Sequence, residues 1–232
     1  MKAICNFPKT VLVLGPSGSG KDTQIDKLVD LCGYEKIGTG DMLREEYAKR
    51  TTKGIEAHKS WGEGRWVPDD LMYELFSEWI TKYDRSKPWI FSQVVRAPGQ
   101  VAMFDDLLGK LGRKLDMVLY FSLSSEAAIE RMSLRRHCPV CGREYHLVYV
   151  KPRNGEVCDD DGTALIRRDD DYPEAIEQRL EEFKNKVVPI LSEYTTRGIL
   201  TEVDASPSID DVWKSVKAVF CGDTGITSDE KS

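Results

Sequence analysis

The sequence predicts an α/β fold in which a parallel β-sheet is covered by helices on both faces. Short apolar runs alternate along the chain with longer stretches of helical periodicity, and each run has the length of a buried strand. Strands and helices in this order form parallel sheets, because each helix carries the chain back across the sheet. The expected strands are 10–14, 89–92, 117–121 and 199–203, and the expected helices are 21–32, 71–82, 126–136 and 174–194.

The composition limits the possible classes of function. The chain has 232 residues, of which 41% are hydrophobic and 31% charged, as in an ordinary globular protein. Its formal net charge is −6, so no overall positive field attracts nucleic acid or an anionic membrane, and local basic groups must hold any anionic ligand. The sequence contains neither an apolar run of about 18 residues nor an N-terminal signal sequence, which predicts a cytoplasmic protein.

Two segments interrupt the alternation of strands and helices. Residues 39–67 are helical and polar without an evident strand, whereas residues 137–168 contain clustered cysteines, glycines and short β-like runs. Both are therefore expected to be insertions into one α/β core. The expected core comprises 1–38, 68–136 and 169–221, and residues 222–232, rich in Gly, Ser, Thr and Asp, are expected to form a flexible tail.

A glycine-rich loop follows the first predicted strand and precedes the first predicted helix. It fits the G-x-x-x-x-G-K pattern of phosphate-binding loops, in which backbone N–H groups, the helix N-terminus and a lysine hold phosphate oxygens. The usual Ser or Thr after the lysine is replaced here by Asp22, which can bind Mg²⁺ through water, cap the helix or repel phosphate. The candidate nucleotide-binding residues are Gly15, Ser17, Gly18, Ser19, Gly20, Lys21, Asp22 and Thr23.

Half of the six cysteines lie close together, in two turns of similar spacing. Zn²⁺ binds four tetrahedral ligands from Cys, His or carboxylate, and a site with four protein ligands is structural. The pattern therefore predicts a structural Zn²⁺ held by Cys138, Cys141, Cys158 and Asp161. The alternatives are a reduced thiol cluster without metal, or a different fourth ligand among Asp159, Asp160, His137 and His146.

Further motifs occur in a fixed order along the chain. They are Ile37 to Arg44 (IGTGDMLR), Gly64 to Leu71 (GRWVPDDL), Arg96 with Gln100, Arg131 with Arg135, and Arg168 to Asp171 followed by Arg179. Together with the phosphate-binding loop, this set resembles the adenylate kinase family over about residues 10–220, and the cysteine cluster resembles the zinc-bearing lid of some bacterial members. The resemblance implies a P-loop protein with a five-stranded parallel sheet, an NMP-binding insertion at 39–67 and a lid at 137–168. It also implies a monomer that transfers the γ-phosphoryl group of ATP to AMP with Mg²⁺.

The resemblance also implies roles for individual residues. Lys21 would hold the β- and γ-phosphates, Arg131 would stack on the ATP adenine, and Asp170 and Asp171 would pair with the lid arginines. The implied catalytic residues are Lys21, Arg96, Arg135, Arg168 and Arg179; the implied AMP-binding residues are Thr39, Arg44, Arg65, Val67, Arg96, Gln100, Arg168 and Arg179. Because Arg131 and Arg135 are four residues apart, we expect them to share one helix face.

One segment departs from the family pattern. Where the family has Asp-Gly-Phe-Pro-Arg-Thr, this chain has residues 92–97, Ser-Gln-Val-Val-Arg-Ala. The aspartate that orders water around Mg²⁺ in the family becomes Ser92, the glycine beside the acceptor base becomes Gln93, and the proline after a cis bond becomes Val95. We therefore expect a reshaped turn with trans peptide bonds, with Asp22 a partial substitute for the missing carboxylate.

Four functions follow from these observations. The preferred one is an active adenylate kinase-like phosphotransferase. The alternatives are an NMP kinase of altered base specificity, because Gln93 adds an amide near the base, and a nucleotide-binding protein with weak turnover, because Ser92 disturbs the Mg²⁺ water shell. The fourth, a zinc-ribbon protein that binds nucleic acid, is disfavoured by the net charge.

Overall fold

A computed structural model describes residues 7–61, 67–167 and 171–221. Several residues singled out in the sequence lie outside these ranges, among them Arg65, Arg168 and Asp170. Within the described ranges, no helix is long and apolar enough to cross a membrane.

The main sheet has five parallel strands, which confirms the predicted fold class. Its order is β2-β3-β1-β4-β7, so the first strand lies in the middle. The remaining two strands, β5 and β6, form a small antiparallel hairpin. The strands are β1 (Thr10–Leu14), β2 (Glu35–Gly38), β3 (Trp89–Ser92), β4 (Met117–Ser122), β5 (Arg135–His137), β6 (Glu144–His146) and β7 (Leu200–Asp204).

Helices connect the strands of the main sheet. They are α1 (Lys21–Cys32), α2 (Thr39–Ala48), α3 (Thr52–Trp61), α4 (Asp69–Trp79), α5 (Pro98–Lys110), α6 (Ser125–Ser133), α7 (Pro173–Glu182), α8 (Val188–Thr196) and α9 (Ile209–Cys221). A 3₁₀ turn, Ile80–Lys82, extends α4, and a π-helical turn, Phe183–Val187, joins α7 to α8. The π turn precedes Pro189, which has no N–H to donate to the preceding turn.

The hydrophobic core lies on both faces of the sheet. Leu12 and Leu14 of β1 face a layer that includes residues of α4, α5 and α8, whereas Val11 and Val13 face α1 and α9. All four side chains are fully buried. A strand covered on both faces is a continuous apolar run, which is the reason that β1 is recognisable in the sequence.

Helix α6 is shorter than the sequence predicts. Ser124 caps its N-terminus by accepting a hydrogen bond from the N–H of Ala127, and the helix ends at Ser133. Arg135 instead lies in β5, opposite His146 of β6. The prediction that Arg131 and Arg135 share a helix face is therefore wrong, because Arg135 pairs with the next strand, β6, in a hairpin.

The topology places two loops side by side. Strands β1 and β3 are parallel neighbours, with Val13 opposite Ser92. The chain leaves β1 into the glycine-rich loop, and leaves β3 into residues 93–97, so both loops lie at the carboxyl edge of the sheet. In open α/β sheets this edge is where ligands bind.

Candidate active site

The glycine-rich loop is packed closely against the rest of the protein. Gly18 has a φ of +83°, and a Cβ at this position would lie 3.0 Å from the carbonyl oxygen of Ala128 in α6. Gly20, with a φ of 73°, precedes the first turn of α1 and leaves its N-terminal N–H groups without a side-chain cap. These free donors face the loop and can bind phosphate oxygens.

Lys21 is a buried cation in a positively charged cleft. It is 8% exposed, and its pKa falls from the ordinary 10.5 to about 8. Burial is the main cause, the charge of Asp22 opposes it, and the charges of Arg96, Arg135 and Arg179 add to the decrease. An anion placed among these cations reverses the effect, since it stabilises the charged lysine.

Asp171 holds two of the predicted catalytic arginines. Its carboxylate is fully buried; Oδ2 lies 3.3 Å from Nε of Arg135 and Oδ1 lies 3.6 Å from Nη1 of Arg179. The expected pairing of Asp171 with lid arginines is thus present for Arg135, which lies at the base of the lid segment. Both guanidinium groups remain partly exposed, so each can also contact a ligand.

The cations surround two adjoining cavities. The larger, of about 430 Å³, is lined by the glycine-rich loop, Arg131, Arg135 and part of the hairpin β5–β6. The smaller, of about 160 Å³, contains Arg96 in its wall. Their linings share Ser17, Gln93 and Arg179, so the two cavities meet at the phosphate-binding loop.

A third, more apolar cavity lies beyond Arg96. Thr39 and Gln100, two of the implied AMP-binding residues, both line it. Gln100 is held in place, because its Oε1 accepts a hydrogen bond from the N–H of Arg96 at 2.7 Å and its Nε2 donates to Asp69 at 2.6 Å. The amide therefore has a fixed orientation before any ligand arrives.

Gln93 points towards the phosphate-binding loop. Its side-chain amide donates a hydrogen bond to the carbonyl oxygen of Gly15, and it lines the two phosphate-side cavities, whereas the cavity of Thr39 and Gln100 does not include it. The expectation that its amide contacts the acceptor base stays a prediction. Its φ of 49° is left-handed, which is typical of the glycine that the family has here. All described peptide bonds are trans, as expected for Val95 in place of proline.

The remaining predicted residues have varied surroundings. Arg131 donates hydrogen bonds to the carbonyl oxygens of Ala205 and Ser206, at 2.8 and 2.9 Å, and so ties α6 to the loop after β7 at the edge of the larger cavity. Arg44 is exposed on α2 and pairs with Asp41 at 2.6 Å; the described cavities do not include it. The Val67 side chain is buried in the core, and Arg65 and Arg168 lie outside the described residues.

Several residues that line the larger cavity were not among the predicted site residues, including Gln24, Glu144, Tyr145, His146 and Tyr149. His146 and Tyr149 lie in its wall, on the lid side. Nδ1 of His146 accepts hydrogen bonds from the N–H groups of Val148 and Tyr149, and burial lowers the pKa of the imidazole, so the ring is neutral at pH 7. The signal available in the sequence was the adjacent pair Tyr145 and His146, in the β-like run that follows the first two cysteines.

The four candidate metal ligands converge. One ligand atom from each of Cys138, Cys141, Cys158 and Asp161 lies within 4.8 Å of all the others. The sulfur atoms of Cys141 and Cys158 are 3.5 Å apart, close to the separation of about 3.8 Å that a tetrahedral ion with Zn–S bonds of about 2.3 Å requires. The donor set therefore fits a structural Zn²⁺.

The two halves of the cluster have the same backbone turn. The N–H of Gly142 donates to the carbonyl oxygen of Cys138, and the N–H of Gly162 donates to that of Cys158. Both glycines have a left-handed φ, 75° and 71°, which explains the glycine after each second ligand. The alternative fourth ligands do not join the cluster: for example, Asp160 forms an ion pair with Arg143.

A phosphate-binding loop at the edge of a parallel sheet, facing an arginine-lined cleft, defines a P-loop phosphotransferase. Comparison with known proteins is more specific. The adenylate kinase family model matches residues 13–199. The chain is 35% identical over 210 residues to the adenylate kinase of Archaeoglobus fulgidus, which covers 90% of this chain and 97% of that protein.

Two further relatives agree with this match. The adenylate kinase of Kosmotoga olearia is 36% identical over 206 residues, covering 89% of this chain and 96% of that protein. The adenylate kinase of Hydrogenobaculum sp. is 36% identical over 210 residues, covering 90% and 99%. The chain belongs to the adenylate kinase family and is a nucleoside monophosphate kinase, which confirms the resemblance seen in the sequence.

Proposed function

We propose that the chain transfers the γ-phosphoryl group of MgATP to AMP in the continuous cleft formed by the two phosphate-side cavities. The observation that carries this proposal is the shared wall of Ser17, Gln93 and Arg179. Lys21 lies on the donor side of this wall and Arg96 on the acceptor side. A phosphoryl group passing between two nucleotides would cross at this point.

The reaction needs charge neutralisation and alignment more than proton transfer. An oxygen of the AMP phosphate, already ionised at pH 7, attacks the γ-phosphorus; the bond from γ-phosphorus to the bridging oxygen breaks, and the products are two ADP molecules. We assign Lys21 to the donor phosphates, Arg96 to the acceptor phosphate, and Arg135 and Arg179 to the group in transfer. Arginine suits this role because its planar donors match phosphate oxygens.

Further residues are assigned to the binding of AMP. Thr39 and Gln100 would contact the base in the third cavity, and Arg44, together with Arg65, Val67 and Arg168, would complete AMP binding after the insertion closes. The exposure of Arg44 supports this assignment, since among the described residues its guanidinium has only Asp41 as an ion-pair partner and can turn to a ligand. Because one chain supplies both halves of the cleft, a monomer suffices for the reaction.

We also assign a structural Zn²⁺ to the lid. The lid segment has a small apolar cluster, formed by Cys138, Tyr145, Cys158 and Leu165, of which two members are metal ligands. So small a cluster cannot hold a separate subdomain rigid. With the ion bound, the lid would move as one body over ATP and exclude water from the transferred group.

The proposed acceptor is tested by turnover with MgATP against AMP, GMP, CMP, UMP and dTMP. AMP is expected to be the preferred acceptor of the wild type. Gln93→Gly is expected to leave this preference unchanged, because the Gln93 amide contacts Gly15 rather than the base cavity. Gln100→Ala is expected to lower discrimination between AMP and the other acceptors by about 10-fold or more, since it removes a fixed hydrogen-bonding group.

Other outcomes of this assay would contradict the proposal. Preference of the wild type for another monophosphate would overturn the assignment of Thr39 and Gln100. A change of preference in Gln93→Gly would show that the amide reads the base after all. Absence of turnover with every acceptor, despite ATP binding, would reject the active enzyme in favour of a nucleotide-binding protein.

A further inference from the structure

Asp22 is an unusual residue to find beside a phosphate-binding lysine. It occupies the second position of α1, its side chain is 57% exposed, and it lines the larger cavity. It does not cap the helix: the N-cap is Gly20, and no side-chain cap is formed. A carboxylate at this place repels a bare phosphate chain unless a cation lies between them.

The orientation of Asp22 is fixed by the end of a neighbouring strand. The hydroxyl of Ser92, the last residue of β3, donates a hydrogen bond of 2.9 Å to Oδ1 of Asp22. Lys36 lies 3.9 Å from the same oxygen but pairs more closely with Asp26, at 2.8 Å. Oδ2 lies 3.8 Å from Nζ of Lys21, so among the described residues it has no hydrogen-bond donor within normal distance.

The carboxylate is charged at neutral pH. Partial burial of the carboxylate raises its pKa, but the charge of Lys21 and the hydrogen bond from the Ser92 hydroxyl outweigh this effect. Together they hold the pKa of Asp22 below its ordinary value. Glu144, on the lid, is the only other carboxylate among the described residues that line the larger cavity. Asp22 is therefore the anionic oxygen ligand or hydrogen-bond acceptor available on the phosphate-loop side of the cavity.

We propose that Asp22, positioned by Ser92, binds the hydrated Mg²⁺ that accompanies the nucleotide. Mg²⁺ keeps several of its waters in proteins and is held by one or two carboxylates together with substrate phosphates. A short carboxylate in the first turn of α1 that lines the cavity, and whose Oδ2 has no described hydrogen-bond donor, can accept hydrogen bonds from those waters. The carboxylate function thus comes from α1, and the strand end contributes the hydroxyl that orients it.

This inference rests on the proposed nucleotide site but makes a separate claim. If Asp22 faces the ion, Mg²⁺ offsets its repulsion of phosphate, and nucleotide affinity must depend strongly on the metal. If Asp22 is only a surface carboxylate, removing it leaves the metal dependence unchanged. Asp26, one turn further along α1 and 64% exposed, is a matched control because it shares the Lys36 partner.

The first test is calorimetric titration with a non-hydrolysable ATP analogue, with and without Mg²⁺ and without AMP. Wild-type protein and Asp26→Asn are expected to bind the Mg²⁺ complex about 10-fold or more tighter than the free analogue. Asp22→Asn is expected to reduce this ratio to about 2-fold or less, mainly because it binds the metal-free analogue more tightly than the wild type does. An Asp22→Asn ratio equal to that of Asp26→Asn overturns the inference.

The second test asks whether a carboxylate at position 92 can replace the carboxylate at position 22. Mn²⁺ serves as the probe, and the measured quantity is the water-proton relaxation rate of the complex of protein, Mn²⁺ and analogue. In Asp22→Gly this rate is expected to differ from the wild-type value. In the double variant Asp22→Gly/Ser92→Asp it is expected to return to the wild-type value. Ser92→Ala is expected to weaken metal dependence partly, whereas Ser92→Thr, which keeps a hydroxyl, retains it. Failure of the double variant to restore any metal dependence, while it still binds the analogue, contradicts the inference.

These tests distinguish an error in the nucleotide site from an error in the role of Asp22. If wild-type protein binds neither the analogue nor its Mg²⁺ complex, the nucleotide site itself is wrong. If wild-type protein binds both and its metal dependence survives the loss of Asp22, only the role of Asp22 is wrong.

Discussion

Replacing Lys21 with methionine is expected to lower kcat/KM for ATP and AMP by about 10³-fold. Lys21 is the buried cation of the phosphate-binding loop, and it lines the larger cavity, where we propose that the donor phosphates bind. Methionine keeps the length and the apolar stem of the side chain while removing the charge. Steady-state kinetics with both substrates varied measures the effect, and a rate near that of the wild type would show that the cleft is not the site of transfer.

The melting temperature of Lys21→Met serves as the control for its loss of activity. The pKa of Lys21 is about 8 in the folded protein and 10.5 when unperturbed. Protonation therefore disfavours folding by about 3 kcal/mol below pH 8, and this cost disappears as pH rises towards 10.5. At pH 7, Lys21→Met should melt at the same or a higher temperature than the ligand-free wild type. A lower melting temperature would mean that lost activity reflects misfolding.

Removing the lid metal is expected to have the second large effect. Cys141→Ser and Asp161→Ala each delete one ligand of the four-residue cluster, and both positions are exposed, so neither substitution leaves a cavity in the core. We expect either variant to lose bound Zn²⁺ and to melt at least about 5 °C lower than the wild type, because the proposed ion would take the place of a hydrophobic core in the lid. Elemental analysis and calorimetry measure the two quantities.

Two matched variants separate metal loss from other damage. Asp161→Cys replaces one ligand with another and should keep both the ion and the melting temperature. Cys32→Ser changes a partly buried cysteine at the C-terminal end of α1, outside the cluster, and should keep the metal. Chelation of the wild type should reduce the melting temperature more than the rate of chemistry. An unchanged melting temperature in metal-free protein would refute the structural role.

The sheet, the phosphate-binding loop and the cysteine cluster were predictable because each is encoded locally. Strand β1 is an unbroken apolar run, since both of its faces are buried. The loop needs glycines and a lysine at fixed spacing, and the cluster needs ligands on two tight turns. Strand β1, the loop and each half of the cluster can therefore be recognised from a short segment, whereas β2 was not among the expected strands.

The rest depended on contacts between distant segments. Arg135 looked helical, and it is a strand residue only because the chain returns to pair with it at His146. Gln93 looked like a residue of the base pocket, but its amide reaches the carbonyl oxygen of Gly15, 78 residues earlier. The hydrogen bond between Ser92 and Asp22 likewise joins β3 to α1, and the sequence offered three roles for Asp22 without a way to choose.

The fate of a labelled γ-phosphoryl group tests the central claim most directly. ATP labelled in the γ-phosphate is mixed with unlabelled AMP, Mg²⁺ and the protein, and the products are separated over time. The account predicts that label appears in ADP in step with the consumption of AMP, with orthophosphate at background, because a single water-excluding cleft aligns both nucleotides. Label released as orthophosphate, or an ATP pool unchanged by AMP, would contradict it.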